Sequence, residues 1–135
     1  MTKVSLNALD LRGVIPVELG DLTQLSVLSL LENHLVGPIP PELGKLTNLV
    51  HLDFDENQLS GPIPPELGNL TNLKYLWIKD NVDLFGPLPV EMTRLTDLSI
   101  LDLRGTSLCV PPDDEFQAWL EGIGTKRGIT TCSTP

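Results

Sequence analysis

Leu25–Asn48 reads LSVLSLLENHLVGPIPPELGKLTN, and the 24 residues that follow, Leu49–Asn72, read LVHLDFDENQLSGPIPPELGNLTN. The frame L-x-x-L-x-[LFI]-x-x-N-x-L-x-G-x-[IL]-P-x-E-[LM] returns in Leu73–Asp97, with one extra residue near Val82–Asp83. It also runs back through Met1–Gln24 without a gap, keeping Val4, Leu6, Leu11, Gly13, Ile15 and Pro16 in register. Leu98–Leu108 begins a fifth copy, which breaks off. A fixed period of this length, with apolar residues at fixed offsets, predicts a solenoid whose turns bury their apolar sides only against one another. The expected organisation is repeats 1–24, 25–48, 49–72, 73–97 and a partial 98–108, then a C-terminal cap over 109–135.

Each copy carries one short alternating segment: Val27–Leu30, His51–Phe54, Tyr75–Ile78. Alternation of this kind predicts one strand per repeat, and strands running always the same way predict a parallel sheet along one side. Asn33, Asn57 and Asn81 follow these strands. An amide that both donates and accepts can satisfy backbone groups in the turn that leaves the sheet. Leu9 and Thr106 replace this Asn in the first and last copies, marking the ends of the array. The Gly-x-[IL]-Pro step predicts a turn and a short extended segment. The E-L-G-x-L-T stretch after it is too short and glycine-punctuated for an α-helix, and predicts a 3₁₀ turn on the convex side.

Hydrophobic residues make up 41% of the 135, so the chain folds; acidic residues outnumber basic ones 18 to 9, for a net charge of −9. Nucleic acid and anionic membranes call for clustered positive charge, which is missing. No apolar run of about 20 residues is present to span a bilayer. Catalysis finds no support: His34 and His51 stand in different columns, no Ser or Cys has an evident base, and Asp53 and Asp55 share an open sheet rather than a cleft. Neither a metal site nor a cofactor is expected.

The string L-x-G-P-I-P-P-E-L-G-x-L-T-N-L, at Leu35–Leu49 and Leu59–Leu73, resembles the plant-type class of leucine-rich repeats. That class forms the ectodomains of receptor-like kinases and receptor-like proteins, and the polygalacturonase-inhibiting proteins. The resemblance covers Met1 to Leu108. It implies an α/β solenoid: a right-handed leucine-rich-repeat superhelix with a parallel concave sheet, 3₁₀ or irregular convex turns and a C-terminal capping helix. It also implies an extracellular or secretory protein that recognises a protein or peptide. The chain opens at the first position of the frame without a leader, as a segment of something longer would. An inhibitor of a secreted enzyme and a structural, self-associating solenoid are the alternative functions; ice binding would want flat rows of Thr or Asn, which the charged columns lack.

Past Leu108, Pro111-Pro112 stop the repeat and Asp113 can cap a helix over about 113–122, with Phe116, Trp119, Leu120 and Ile123 on one stripe. Cys109 and Cys132 bracket it. A disulfide between them would close a loop worth roughly 3 kcal/mol and place the chain in an oxidising compartment; two buried free thiols are the alternative. The opposite flank, with Val4, Leu6 and Leu11, is expected to be open and either to be met by a second copy or to have been covered by further sequence.

Outward columns on the concave sheet read Lys3, Val27, His51, Tyr75, Ile100; then Ser5, Ser29, Asp53, Trp77, Asp102; then Asn7, Leu31, Asp55, Lys79, Arg104. His51, Tyr75 and Trp77 form an aromatic patch flanked by Asp53, Asp55, Glu56 and Asp102, with Lys79 and Arg104 alongside. Exposed aromatics with polar handles make interface hot spots, and carboxylates favour a basic peptide. Cross-strand packing that merely stiffens the sheet is the competing reading. Asn69-Leu70-Thr71 is a possible N-glycosylation site.

Overall fold

A computed structural model describes residues 2–133. Met1, which opens the first expected repeat, and 134–135, which end the expected cap, lie outside the described residues. The strands are β1 (Thr2–Ser5), β2 (Arg12–Val14), β3 (Leu25–Ser29), β4 (His34–Gly37), β5 (His51–Asp53), β6 (Gln58–Gly61), β7 (Tyr75–Trp77), β8 (Asp83–Pro87), β9 (Ile100–Asp102), β10 (Ser107–Cys109) and β11 (Thr125–Arg127), with one helix, α1 (Asp114–Glu121). Odd-numbered strands form a six-stranded parallel sheet in the order β1-β3-β5-β7-β9-β11, in register from repeat to repeat: Val27 beside His51, His51 beside Tyr75, Tyr75 beside Ile100.

Even-numbered strands form a second parallel sheet, β10-β8-β6-β4-β2. The sequence indicated only an extended step at Gly-x-[IL]-Pro. Stacking places those steps side by side, and their backbone donors and acceptors pair with one another instead of with water. Four 3₁₀ turns close the repeats at Val17–Asp21, Pro41–Lys45, Pro65–Asn69 and Val90–Arg94. Each is entered through a proline (Pro16, Pro40, Pro64, Pro89) whose φ of −65° to −70° is what the pyrrolidine ring imposes.

The glycine inside three of these turns has a definite cause. A Cβ at Gly20, Gly44 or Gly68 would run into the backbone carbonyl of Glu42, Glu66 or Glu91 in the next turn. Thr93 takes this place in the last turn, against which α1 packs instead. Its hydroxyl then donates to the Val90 carbonyl at 2.7 Å.

Leu28, Leu52, Leu76 and Leu101 are fully buried, with Leu30, Phe54, Ile78 and Leu103 stacked beside them. The Asn column bolts this core together. Asn57 Nδ2 donates to the carbonyls of Leu30, at 2.9 Å, and of Phe54, at 3.2 Å, while its Oδ1 accepts from the Leu35 N–H at 3.0 Å. Asn33 and Asn81 repeat the pattern one turn to either side.

At the C-terminal end, the Asp113 side chain accepts from the Phe116 N–H at 3.0 Å and starts α1. Phe116, Trp119 and Leu120 are buried, and Trp119 Nε1 donates to the Leu95 carbonyl at 3.1 Å. Cys109 and Cys132 are disulfide-bonded, so the free-thiol alternative does not apply. Beyond the helix the chain returns as β11 and pairs with β9, covering an edge that would otherwise present unpaired backbone groups. Thr125-Lys126-Arg127 gave no strand signal in the sequence. On the opposite flank Leu6, Leu9, Val14, Val17 and Leu22 are exposed, whereas Val4 and Leu11 are half-buried against the core.

Candidate binding face

The six-stranded sheet brings His51, Tyr75 and Trp77 together on β5 and β7. Tyr75 and Trp77 stack with ring planes 16° apart and centroids 5.5 Å apart; His51 leans on Trp77 at 4.5 Å and meets Tyr75 edge-on at 6.0 Å. Their mutual packing leaves each ring half-buried. The rings pack across the strands, as the competing stiffening reading expected, and part of each stays exposed.

The carboxylates differ in how they are held. Asp53 is half-buried and accepts from the Asp55 N–H at 3.0 Å. Asp55 is buried, and its Oδ1 accepts from the Lys79 N–H at 2.6 Å. Asp102 is buried at 3% exposure and gripped by Arg104, whose Nε and Nη2 donate at 2.9 and 2.7 Å. Arg104 thus spends its charge within the site.

An open sheet was expected to leave these acids unperturbed. Instead Asp55, Trp77, Asp102 and Arg104, with Thr125 and Arg127 from β11, line a cavity of about 210 Å³. Burial pushes the Asp55 carboxyl up to about 6, helped by the charge of Asp53 and opposed by the Lys79 amide. Burial also raises Asp53 and lowers His51, the latter against the pull of Asp53. Burial alone would raise Asp102, but the hydrogen bonds and charge of Arg104 outweigh it and hold the group below its ordinary value.

The raised Asp55 has a stability consequence. The folded state holds its proton up to about pH 6 and the unfolded chain loses it near the ordinary carboxylate value of 3.8, so native protein binds more protons between them. Stability contributed by this group is therefore present at low pH and lost as pH rises through that window. Asp55→Asn is expected to be more stable than the native chain at pH 7 by about 2 kcal/mol. The difference should vanish near pH 4, as urea denaturation at the two pH values would show.

Asn69 is exposed at the end of the 3₁₀ turn Pro65–Asn69, away from this face. Thr125 and Arg127 went unnoticed in the sequence; the only signal was that a cap must do something with the edge of the last strand. Among the described residues no helix is long and apolar enough to cross a membrane.

A family model described as Leucine Rich Repeat matches residues 24–46 and 48–70. No curated protein sequence matches the chain significantly. Among solved structures, the BIR2 ectodomain from Arabidopsis thaliana is 30% identical at a TM-score of 0.77, over 97% of this chain and 69% of that one. The Arabidopsis receptor kinase HAESA ectodomain, in complex with an N-terminally extended IDA peptide hormone, is 34% identical at a TM-score of 0.82, over 96% of this chain and 21% of that one. A plant ice-binding protein is 31% identical at a TM-score of 0.76, over 86% and 37%. The plant peptide hormone receptor RGFR1, the GASSHO1/SCHENGEN3 ectodomain from Arabidopsis thaliana and PEPR1 align with the chain over only 24%, 15% and 20% of their own lengths.

Proposed function

Because the chain belongs to the plant-type leucine-rich-repeat proteins, we propose that it is a non-catalytic recognition module that binds a peptide or protein segment along its concave sheet. The observation that carries this reading is the clustering of His51, Tyr75 and Trp77 with Asp53, Asp55 and Asp102, where the columns stop being generic. Aromatic anchors supply desolvated contact area, and the surrounding carboxylates give the segment its sign: a basic partner. The disulfide and the receptor ectodomains it resembles support an extracellular or secretory setting.

A double substitution, Trp77→Ala with Tyr75→Ala, tests the face. Capture of a partner from a library of short basic peptides displayed on phage should fall at least about a hundredfold, since two hot-spot aromatics carry about 2 kcal/mol or more each. Undiminished capture would move the contact to the convex side or an end.

The exposed Leu6, Leu9, Val14, Val17 and Leu22 favour a second, compatible reading, in which the first repeat is met by another copy of the chain. Sedimentation at rising concentration should then show a dimer that Leu6→Lys dissolves. A monomer throughout would sink it.

A further inference from the structure

Two repeats solve one structural problem with different side chains. After β1 the amide oxygen of Asn7 accepts from the Leu31 N–H at 2.8 Å, tying the first repeat to the second. Asp55 stands at the same place in the third repeat, and its Oδ1 accepts from the Lys79 N–H. Leu31, between them, has no polar atom to offer. The fold therefore asks for a neutral oxygen at most. A buried carboxylate is the more costly choice, because water is removed from its charge and Asp53 and Asp102 repel it. A residue that works against stability where an amide would serve is one whose charge has another use.

Its surroundings indicate which. Around Asp55 lie Asp53 and Glu56 on its own segment and Glu32 from the preceding repeat. Lys79 and Asp80 follow in the next, with Asp102 and Arg104 beyond, and Arg127 enters from β11, three strands away. Arg104 is engaged by both oxygens of Asp102. Carboxylates thus outnumber the cations free to answer them, and Trp77 lines the same cavity as Asp55. A planar guanidinium can stack on an indole while donating to a carboxylate at its edge, which an ammonium does less well.

We infer that Asp55 and Trp77 form a subsite for one cationic side chain of the bound segment, arginine in preference to lysine. The inference rests on the concave face being the binding surface. The cation must displace the proton that burial keeps on Asp55 up to about pH 6, so affinity should rise as pH climbs through that value and level off above it.

The probe is N-acetyl-arginine amide, set against N-acetyl-citrulline amide, which has its shape without its charge. The Lys79 backbone amide, bonded to Asp55, reports occupancy by NMR. Near pH 7.5 the arginine probe should give a saturable shift and bind at least about tenfold more tightly than citrulline, falling about tenfold near pH 5. Asp55→Asn should keep the Lys79 hydrogen bond, as Asn7 does for Leu31, yet lose the preference for charge and the pH dependence. Equal binding of the two probes, no saturable shift, or an unchanged Asp55→Asn profile each overturns the inference. If Trp77→Ala abolishes the arginine shift while Asp55→Asn leaves it intact, the binding face stands and the cation subsite falls. If neither substitution matters, both fall.

Discussion

Asn57→Leu is expected to destabilise the array by roughly 3 kcal/mol. The substitution nearly preserves side-chain volume, so its effect comes from polar groups rather than from a cavity. Removing the amide orphans the buried Leu35 N–H, while the Leu30 and Phe54 carbonyls lose one of two donors and keep those from Asn33 and Asn81. The orphaned N–H costs about 1–3 kcal/mol and the two weakened carbonyls add a smaller loss, roughly 3 kcal/mol together. Net stability of a domain this size is about 5–15 kcal/mol, so the loss takes a fifth or more of it. Asn57 also lies in the central repeat, and both halves of the core depend on its contacts. Circular dichroism against urea should show a lowered midpoint with the transition still cooperative. A midpoint within experimental error of the native one would mean that the ladder is not what holds the turns.

The same residue shows what could be read before any coordinates. Asn57 was legible because it answers a demand that few side chains meet, an amide that donates and accepts in one turn, whereas Gly68 signals only a break against an α-helix and not its close approach to the Glu91 carbonyl. The second sheet was not legible, since Gln58–Gly61 offers four residues with no alternation to count, and its partners sit 22 or 23 positions away. Asp55 was misjudged for a related reason. Period-two reasoning says which side of a strand a residue faces, and Asp55 does face outward. It does not say that β11 and the Trp77 ring build a wall beside it. Asn7 held the missing clue, since the two residues occupy one position in the frame and make the same bond.

The last turn's core is closed by Trp119, and Trp119→Ala should cost about 3–5 kcal/mol. The indole is nearly buried, meets Phe116 edge-on at 6.1 Å, and gives its N–H to the Leu95 carbonyl, which would be left without that donor. Whether the cap then peels away depends on the second lock. With the disulfide from Cys109 to Cys132 intact, the cap remains tethered and α1 can loosen without releasing β11. Breaking the bond frees a loop whose closure is worth about 3 kcal/mol, so the two losses together approach the stability of the whole chain. Trp119→Ala in oxidised protein is therefore expected to lower the melting midpoint yet leave one cooperative transition. Reduction of the same variant should abolish order from Leu95 onward. The consequence reaches the binding face, because β11 carries Thr125 and Arg127 into the cavity beside Trp77. Hydrogen exchange on the Leu103 and Thr125 amides, which bond to the Arg127 and Ser99 carbonyls, reads this directly. Fast exchange there with protected Leu52 and Leu76 would mark a cap that has left an intact array. Uniform exchange would mean that cap and repeats unfold as one unit.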